Sequence, residues 1–336
     1  MRRVVKRLAE SAPSVVLMEW LLALWLSAVS RLKPIDKFEA KITVVVPAFN
    51  VEPYIAQCMR SLRAQRYQNL RVILVDDHCT DRSMDIARKF QSKFKLEIIR
   101  GEHNGLGAAR NSGVAQIGDT DYVMFLDSDD VLVPGTLSKL VRISRKFSAD
   151  IVTGQIAKFL GLLVFPRKDT KFLYQNRREE LLTLRDEPGM IYDSTPTNKL
   201  ISWKFWTDNK LAFPVQVYFE DLILLSQIMS LGAKIVLTPK FIYLWRERVG
   251  ATKSITQTHA EVRTLRDRLT ANKIAEANLL KALKAGRIDE PVIDKFREKL
   301  RTHDLAIYLP RFPNPTGEAK ALLEEFAELA GVAGKQ

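Results

Sequence analysis

The feature that most constrains the fold is a regular alternation of short apolar runs and helical stretches between residues 41 and 126. The runs are rich in β-branched residues, and they predict strands at Ile42–Val46, Leu70–Val75, Leu96–Ile99 and Tyr122–Leu126. The stretches between them predict helices from Pro53 through Leu62, at Thr80–Phe90 and at Gly105–Ile117. Strands and helices that alternate in this way form βαβ units with a parallel sheet. We therefore expect an α/β fold built on a mostly parallel sheet with flanking helices.

Polar residues stand directly after three of these predicted strands. Asn50 follows the first strand, Asp76 and Asp77 end the second, and an acidic run begins at Asp127 after the fourth. Ligands of such sheets bind beyond the carboxyl ends of the strands. These residues are therefore candidates for one binding site.

The acidic run Asp127-Ser128-Asp129-Asp130 is the sharpest candidate. Two carboxylates separated by one residue at a strand end can bind a divalent cation and a neighbouring hydroxyl together. Mg²⁺ and Mn²⁺ take oxygen ligands, usually one or two carboxylates and the phosphates of a substrate. A short Asp-Ser-Asp sequence also suits a solvated turn, but the apolar strand before it favours a site.

The residues after the second and third strands suggest contacts with a nucleotide. Asp76 and Asp77 could accept hydrogen bonds from a base edge or a ribose, whereas Asp81 is read as a helix cap. Gly105–Arg110 superficially matches a dinucleotide-binding fingerprint, but it follows the third strand and ends in Arg. We interpret it as a close backbone approach to a phosphate, with Arg110 as a phosphate ligand or a structural residue.

The second half of the chain is less regular and rich in aromatic residues between positions 155 and 255. Glu220-Asp221 follows Tyr218-Phe219 and precedes a predicted helix, Leu222–Leu231. These acids suit either the first turn of that helix or a general base in an aromatic cleft. Arg246, after a strand predicted at Lys234–Leu237, could offset charge on a diphosphate or pack over a Trp ring.

The net charge of +13 suggests an anionic partner, and the sequence has only two cysteines, Cys58 and Cys79, which fits a reducing compartment. Residues 1–37 are basic at both ends, around an apolar run at Ala12–Val29 that contains Glu19. This segment could lie on a membrane surface, pack on the domain or span a bilayer. We expect an anionic membrane surface as a partner, no nucleic acid, and a location at the cytoplasmic face of the membrane; an oligomer is possible.

Together these segments closely resemble family 2 glycosyltransferases with the GT-A fold. The resemblance rests on segments that follow the family's usual order: Val44–Asn50, Val75–Ser83, Ala109–Gly113, Phe125–Asp130, Asn198–Leu200, Phe213-Pro214, Glu220-Asp221 and Tyr243…Arg246…Ser254. It covers residues 41–256. His78-Cys79 replace a common Gly-Ser, and His103 with Asn104 stands where the family commonly has an asparagine.

The resemblance implies an inverting transferase that uses a nucleotide-diphosphate sugar, most often a UDP-sugar, with Mn²⁺ or Mg²⁺. By this resemblance Asp129 and Asp127 would bind the metal, and Asp221 would be the catalytic base. The implied nucleotide-sugar-binding residues are Pro47, Ala48, Asn50, Asp76, Asp77, Asn104, Arg110, Asp127, Ser128, Arg246 and Ser254.

The expected organisation is an N-terminal helix (1–40), a GT-A domain (41–256) and a C-terminal helical region (257–336). Residues 41–154 would form the nucleotide-sugar half of the GT-A domain, and 155–256 the acceptor half. The acceptor would be a glycan, a polyol-phosphate polymer or a lipid-linked molecule of cell-surface polymer or glycolipid synthesis. Two alternatives remain open: a nucleotidyltransferase on a similar sheet, and a catalytically silent assembly subunit.

Overall fold

The structure is a computed structural model that describes residues 21–22, 24–26, 28–29, 39–160, 163–248 and 261–332. The chain divides into two compact units. Unit 1 comprises 1–181, 196–210 and 235–249, and unit 2 comprises 182–195, 211–234 and 250–336. The predicted boundaries at 40, 154 and 256 stay predictions about segments of the sequence.

The first half of unit 1 is the predicted βαβ array. Its elements are β1 (Ile42–Ala48), α1 (Ile55–Arg63), β2 (Leu70–Asp76), α2 (Ser83–Arg88), β3 (Lys95–Arg100), α3 (Leu106–Ala115) and β4 (Tyr122–Phe125). β1 pairs in parallel with both β2 and β4, and β2 pairs in parallel with β3. All seven residues of β1 are buried, because helices cover both faces of the central strand.

The rest of unit 1 extends this sheet. Its elements are β5 (Val131–Leu132), α4 (Thr136–Phe147), β6 (Ile151–Leu160), β7 (Leu163–Pro166), α5 (Lys171–Tyr174), β9 (Lys199–Ser202), α6 (Trp203–Asp208) and β10 (Ile235–Arg246). The strand order is β3-β2-β1-β4-β9-β6-β10-β5, and β7 pairs with β6. The sheet is parallel on the β1–β4 side and mixed beyond it, because β9 runs antiparallel to both β4 and β6.

Several predicted bounds were wrong. The helix predicted at Thr80–Phe90 is the short α2, because residues 77–82 form a turn beyond β2. The strand predicted to end at Leu237 continues as β10 to Arg246, and it pairs in parallel with β6 and antiparallel with β5. The Tyr243–Arg246 segment, predicted to follow a strand, therefore lies within one.

The N-terminal segment is described only at residues 21–22, 24–26 and 28–29, which are helical. Leu22 and Leu26 are buried in a cluster with Ala64, Val131 and Phe159. Most of the predicted apolar run at 12–29 lies outside the described residues. Within the part of the chain that the structure describes, no helix is both long and apolar enough to cross a membrane.

Unit 2 is mainly helical. Its helices are a 3₁₀ turn (Pro188–Tyr192), α7 (Glu220–Ser230), α8 (Val262–Lys284), α9 (Glu290–Lys299), a π-helical segment (Leu300–Leu305), α10 (Ala306–Tyr308), a 3₁₀ turn (Leu309–Arg311) and α11 (Gly317–Leu329). A short strand, β8, comprises Leu181–Leu182, the last residue of the first segment of unit 1 and the first residue of unit 2. The predicted C-terminal helical region is thus helical where the structure describes it.

Candidate active site

The first wall of the candidate site is the edge where β1 and β2 end together. Ala48 is in register with Asp76, and the N–H of Asp77 donates to Ala48 O over 2.9 Å. Asp76 shapes the turn that follows: its Oδ1 accepts from the N–H of Cys79 (2.8 Å), and its Oδ2 pairs with Arg100 (2.9 Å). The carboxylate of Asp76 therefore stabilises the loop. The next acid at this edge of the sheet is Asp77.

Asp77 is fixed by His103, from the loop before α3. The N–H of His103 donates to Asp77 Oδ1 over 2.9 Å, and His103 Nδ1 donates to Asp77 O over 3.0 Å. The His103 ring lies between two other rings, with centroids 5.3 Å from Phe49 and 5.0 Å from His78. The ring of Phe49 is half exposed, so this edge presents an aromatic surface beside a fixed carboxylate.

The departures from the family's residues have a structural basis in this loop. His78 has a φ of +66°, a left-handed conformation that a glycine adopts without strain. Its Nε2 donates to Gly101 O over 3.2 Å, which helps hold this conformation. Asn50, also at positive φ, accepts through Oδ1 from the N–H of Thr80 over 2.8 Å. Asp81 Oδ1 accepts from the N–H of Ser83, the first residue of α2, over 2.9 Å, but the cap position of α2 is occupied by Arg82 and not by Asp81 as predicted.

The acidic run after β4 is held by arginines. Arg110 of α3, only 3% exposed, pairs with Asp127 Oδ1 at 2.9 Å. Arg248, just beyond β10, pairs with Asp129 Oδ2 at 2.7 Å. Both carboxylates thus sit in a positive field at the sheet edge. Sequence reasoning singled out Arg110 but missed Arg248, for which the sequence carries no signal beyond its proximity to Arg246.

The third acid of the run, Asp130, is the one that joins this loop to β10. It is 1% exposed, accepts from Tyr243 Oη over 2.5 Å and accepts from the N–H of Arg246 over 2.7 Å. Burial, together with the carboxylates of Asp129 and Asp127, raises the pKa of Asp130 well above its usual value. Its place at the end of a four-residue acidic run was visible in the sequence, but its structural role was not.

Arg246 also helps to hold the acidic loop against β10. Its Nε donates to Asp129 O (2.6 Å) and its guanidinium hydrogen-bonds to Gln57. Its Cζ lies 4.4 Å from the ring centre of Phe159 and 5.0 Å from that of Tyr54. Arg246 is 5% exposed, so it supports the acidic loop from the protein interior. The more accessible guanidinium beside Asp129 is that of Arg248.

The donor set fits a hard divalent cation. Among the described residues, Asp127 Oδ2 and Asp129 Oδ1 accept no hydrogen bond, whereas the other oxygen of each carboxylate is held by an arginine. No group of three or more potential protein ligands is found in the described ranges. Two free carboxylate oxygens suit an ion that takes its remaining ligands from a substrate's phosphates or from water.

The structure places the remaining predicted site residues as follows. Pro47 and Ala48 are the last residues of β1, Ser128 is buried within the acidic loop, and Asn104 lies beside His103 before α3. Ser254 lies outside the described residues. The structure thus brings the predicted nucleotide-sugar and metal residues of unit 1 to one edge of the sheet.

Asp221 belongs to unit 2 and is described with its own neighbours. It is the second residue of α7, which begins two residues earlier than predicted, at Glu220. Its Oδ1 accepts from the N–H of Leu222 over 2.7 Å. Phe219, just before α7, has a φ of +65°, and its ring contacts the guanidinium of Arg268. A carboxylate in the first turn of a helix is stabilised by the helix dipole.

Comparisons with known proteins agree on the class that this geometry indicates. Residues 43–205 match the family described as glycosyl transferase family 2. The chain is 28% identical over 250 residues to glycosyltransferase GlyA of Streptococcus pneumoniae, covering 68% of this chain and 34% of GlyA. It is also 28% identical over 250 residues to the poly(ribitol-phosphate) β-N-acetylglucosaminyltransferase TarS of Staphylococcus aureus, covering 73% of this chain and 42% of TarS.

Solved structures agree on the fold. Residues 1–349 of S. aureus TarS in complex with UDP superpose with a TM-score of 0.69 at 20% identity, covering 86% of this chain and 80% of that one. The mannosyltransferase PcManGT of Pyrobaculum calidifontis, in complex with GDP-Man and Mn²⁺, gives a TM-score of 0.53 at 16% identity, covering 94% and 89%. The sheet with its flanking helices has the GT-A fold of the TarS structures. Residues 43–205 therefore form a family 2 glycosyltransferase domain.

The chain spans about a third of GlyA and 42% of TarS. The similarity therefore concerns only a part of each of those longer proteins.

Proposed function

We propose that this protein transfers a sugar from a UDP-sugar to an acceptor hydroxyl, with inversion at the anomeric carbon. The observation that carries the proposal is the pair Asp127 and Asp129, each held by one arginine with its second oxygen available, at the edge where β1, β2 and β4 end. The UDP complex of TarS and its N-acetylglucosaminyl specificity support a UDP-sugar with a hexosyl or N-acetylhexosaminyl group.

The nucleoside would bind at the edge built by Asp77. The carboxylate of Asp77 is fixed by His103 and would accept a hydrogen bond from the edge of the nucleotide base. The exposed ring of Phe49 would stack against the face of that base. Pro47 and Ala48 would line this pocket as backbone, and Asn50 and Asp76 would keep its loop in place. Arg110 would hold Asp127 towards the ribose and the metal.

A Mn²⁺ or Mg²⁺ ion at Asp129 and Asp127 would supply positive charge against the leaving diphosphate, and the Mn²⁺ complex of PcManGT supports such an ion. Arg248, which now pairs with Asp129, would add a second positive charge there. Asp221 would accept the proton of the acceptor hydroxyl as its oxygen attacks the anomeric carbon. The acceptor would be a glycan, a polyol-phosphate polymer or a lipid-linked molecule; the specificity of TarS supports a polyol-phosphate polymer.

The test is a thermal-shift panel of UDP-, GDP- and other nucleotide sugars with the full chain, with and without Mn²⁺. A ligand present at a hundredfold excess over its Kd stabilises the native state by about 2.7 kcal/mol. We expect a Mn²⁺-dependent shift with a UDP-sugar. A shift with a nucleoside triphosphate alone would favour a nucleotidyltransferase, and the absence of any shift would favour a silent subunit.

We also propose that the protein works at the cytoplasmic face of an anionic membrane. One side of the N-terminal helical segment packs on unit 1 through Leu22 and Leu26, whereas Leu21, Leu24 and Trp25 are exposed on another side. The flanking sequence is basic, with Arg31, Lys33 and Lys37 following closely. An apolar helix face with basic flanks suits the surface of an anionic bilayer.

Co-sedimentation tests this location. We expect the chain to pellet with phosphatidylglycerol vesicles and not with phosphatidylcholine vesicles. The double variant Leu24→Ser, Trp25→Ser should stay in the supernatant, whereas Phe172→Ser, which removes another exposed aromatic ring of unit 1, should pellet as before. Equal pelleting of all three proteins would exclude this face of the helix.

A further inference from the structure

We infer that the C-terminal helices help to position the proposed catalytic base, and that Arg268 of α8 is the residue through which they act. The inference rests on the proposed role of Asp221. It assigns a task to a region for which the sequence offered none, and all the residues that carry it lie in unit 2.

The first step concerns the turn that leads into α7. Phe219 has φ +65° and ψ +34°, the left-handed region that a bulky side chain rarely adopts. It stands two residues before Asp221, so its conformation sets the direction in which the first turn of α7 leaves the loop. A conformation of this kind persists only where surrounding groups hold it.

The group that holds Phe219 comes from α8. The Cζ of Arg268 lies 4.7 Å from the centre of the Phe219 ring, within the range of a cation–π contact. Arg263 of the same helix makes a similar contact with Tyr218, at 4.8 Å. Further along, Asn278 Nδ2 donates to Ser226 Oγ over 3.0 Å. Helix α8 therefore contacts both the turn before α7 and α7 itself, which carries the proposed base.

Arg268 is itself fixed by a buried ionic cluster, which we define as Arg268, Lys299 and Asp304. The Arg268 guanidinium bonds to Asp304 Oδ1, and Lys299 Nζ bonds to Asp304 Oδ2 at 2.7 Å. Asp304 and Lys299 are 0% and 2% exposed. They are five residues apart, and the π-helical geometry of Leu300–Leu305, with its i to i+5 spacing, brings them together.

The charges of this ionic cluster do not balance internally, because two cations share one carboxylate. The charge of Asp221 acts on both cations. Burial lowers the pKa of Arg268, but Asp304 and, to a smaller extent, Asp221 raise it above its usual value. Burial also lowers the pKa of Lys299, although the same two carboxylates, Asp304 and Asp221, act to raise it. Asp221 thus supplies negative charge that a buried pair of cations requires.

Two further titratable groups stand near this arrangement. Glu220, the residue before Asp221, is 7% exposed. Tyr308 donates through Oη to Thr264 O over 3.2 Å, and burial raises its pKa to about 12, so it stays neutral at working pH. The cations of unit 2 on which the charge of Asp221 acts are therefore Arg268 and Lys299.

The experiment measures UDP release from UDP-GlcNAc or UDP-glucose, whichever stabilises the full chain, with Mn²⁺ across pH 5–9. For Arg268→Met we expect kcat to fall about 10- to 100-fold with the KM for the donor little changed, because the base is misplaced. Arg268→Lys, which keeps a cation beside the Phe219 ring, should restore part of kcat across this pH range.

A second variant avoids cutting a buried ion pair. Phe219→Leu keeps all charges and most of the apolar volume but removes the ring that Arg268 contacts, so it should lower kcat severalfold with the KM for the donor little changed. Arg266→Met, which removes an exposed guanidinium from the same helix, is the matched control and should behave as wild type. Far-UV CD verifies that each variant is folded.

The outcomes separate this inference from the proposed function. If Asp221→Asn is inactive while Arg268→Met and Phe219→Leu keep the wild-type kcat, Arg268 does not position the base. Should Arg268→Met fail to fold, a wild-type kcat for Phe219→Leu overturns the inference by itself. If Asp221→Asn retains full turnover, the proposed base is wrong, and this inference fails with it.

Discussion

Tyr243 Oη donates a hydrogen bond of 2.5 Å to Asp130 Oδ2 and accepts one of 3.3 Å from the N–H of Asp127. Strand β10 thereby fastens the acidic loop after β4 from a position more than a hundred residues later in the chain. The two carboxylates proposed to bind the metal, Asp127 and Asp129, lie in this fastened loop. The geometry of the donor site thus depends on a hydroxyl that never needs to touch the donor.

Removal of this hydroxyl should therefore affect both stability and donor binding. Tyr243→Phe leaves the buried Asp130 with one hydrogen bond fewer, and we expect the free energy of unfolding to fall by about 2–3 kcal/mol. We also expect weaker binding of a UDP-sugar in the presence of Mn²⁺. Denaturant unfolding and calorimetric titration measure the two effects.

Tyr67→Phe is the matched control for this variant. Tyr67 is also buried in unit 1, and its Oη donates to the backbone oxygen of Ala40 far from the acidic loop in sequence. It should lose some stability and keep the donor affinity. Equal losses of affinity in both variants would contradict a specific role for Tyr243.

The contact of α3 with the sheet gives a prediction about packing. A Cβ on Gly113 would lie 2.4 Å from Cγ1 of Val45 and 3.1 Å from Cγ2 of Val75. Both valines are fully buried, so they have little room to move. Gly113→Ala should cost about 1–3 kcal/mol in unfolding free energy.

Gly118→Ala serves as the control, because a Cβ there meets nothing within 4 Å. Denaturant unfolding followed by tryptophan fluorescence is suitable, since all five tryptophans lie in unit 1. A Gly113→Ala protein as stable as wild type would mean that α3 can move away from β1.

The parts of the fold that the sequence predicted are those with strong local patterns. The continuous β-branched run at 42–46 can only be a strand buried on both faces, and it is the centre of the parallel sheet. The acids that end β2 and follow β4 meet at one edge because parallel strands place their carboxyl ends together. Alternation and strand ends were therefore enough to locate the candidate site.

The parts that the sequence did not predict depend on contacts distant in the chain. β10 runs to Arg246 because β5 and β6 pair with it, which no local pattern indicates. In the sequence, Arg246 has the features expected of a phosphate ligand, but in the structure Phe159 and Tyr54 enclose it. The arginine whose side chain pairs with the carboxylate of Asp129 is Arg248. In the sequence, Asp130 is one more acid of a run. Its role in joining the acidic loop to β10 is evident only from its burial and from the hydrogen bond that it accepts from Tyr243.

The metal proposal predicts the behaviour of Asp129. Asp129→Ala should abolish both turnover and the Mn²⁺-dependent part of donor binding, because it removes a carboxylate oxygen available to the ion. The measurement is UDP release titrated with Mn²⁺ and Mg²⁺. Asp85→Asn, which alters an exposed aspartate of unit 1, is the control and should leave the titration unchanged.

Retention of metal-dependent turnover by Asp129→Ala would remove Asp129 from the metal site. Turnover that is high without metal in the wild type would instead indicate that Arg248 and Arg110 supply the charge alone.

The proposed base gives the most direct kinetic prediction. Asp221→Asn should reduce turnover by about 10²- to 10⁴-fold, the usual contribution of general base catalysis. The Kd for the donor should stay within a factor of about two, since Asp77, Asp127 and Asp129, the acids proposed to bind the donor and its metal, lie in unit 1. Steady-state kinetics and calorimetry provide both numbers, and Asp208→Asn, at an exposed aspartate, is a suitable control.

The buried ionic cluster of unit 2 predicts a dependence of stability on pH. Burial raises the pKa of Asp304, but Arg268 and Lys299 outweigh it and hold that pKa far below the usual range. A depressed pKa in the folded state contributes stability above the unfolded value of about 3.9, and this stability is lost as the pH falls towards the folded value. We therefore expect unit 2 to lose stability steeply below about pH 4.

Asp304→Asn should remove most of that dependence and lower the unfolding free energy at pH 7 by about 3–5 kcal/mol, because two cations lose their buried partner. Urea unfolding followed by far-UV CD between pH 3 and 7 measures this, since unit 2 is helical and contains no tryptophan. Asp289→Asn, which cuts an exposed pair with Arg185, should keep the wild-type slope. A wild-type slope for Asp304→Asn as well would mean that other carboxylates control the acid unfolding of unit 2.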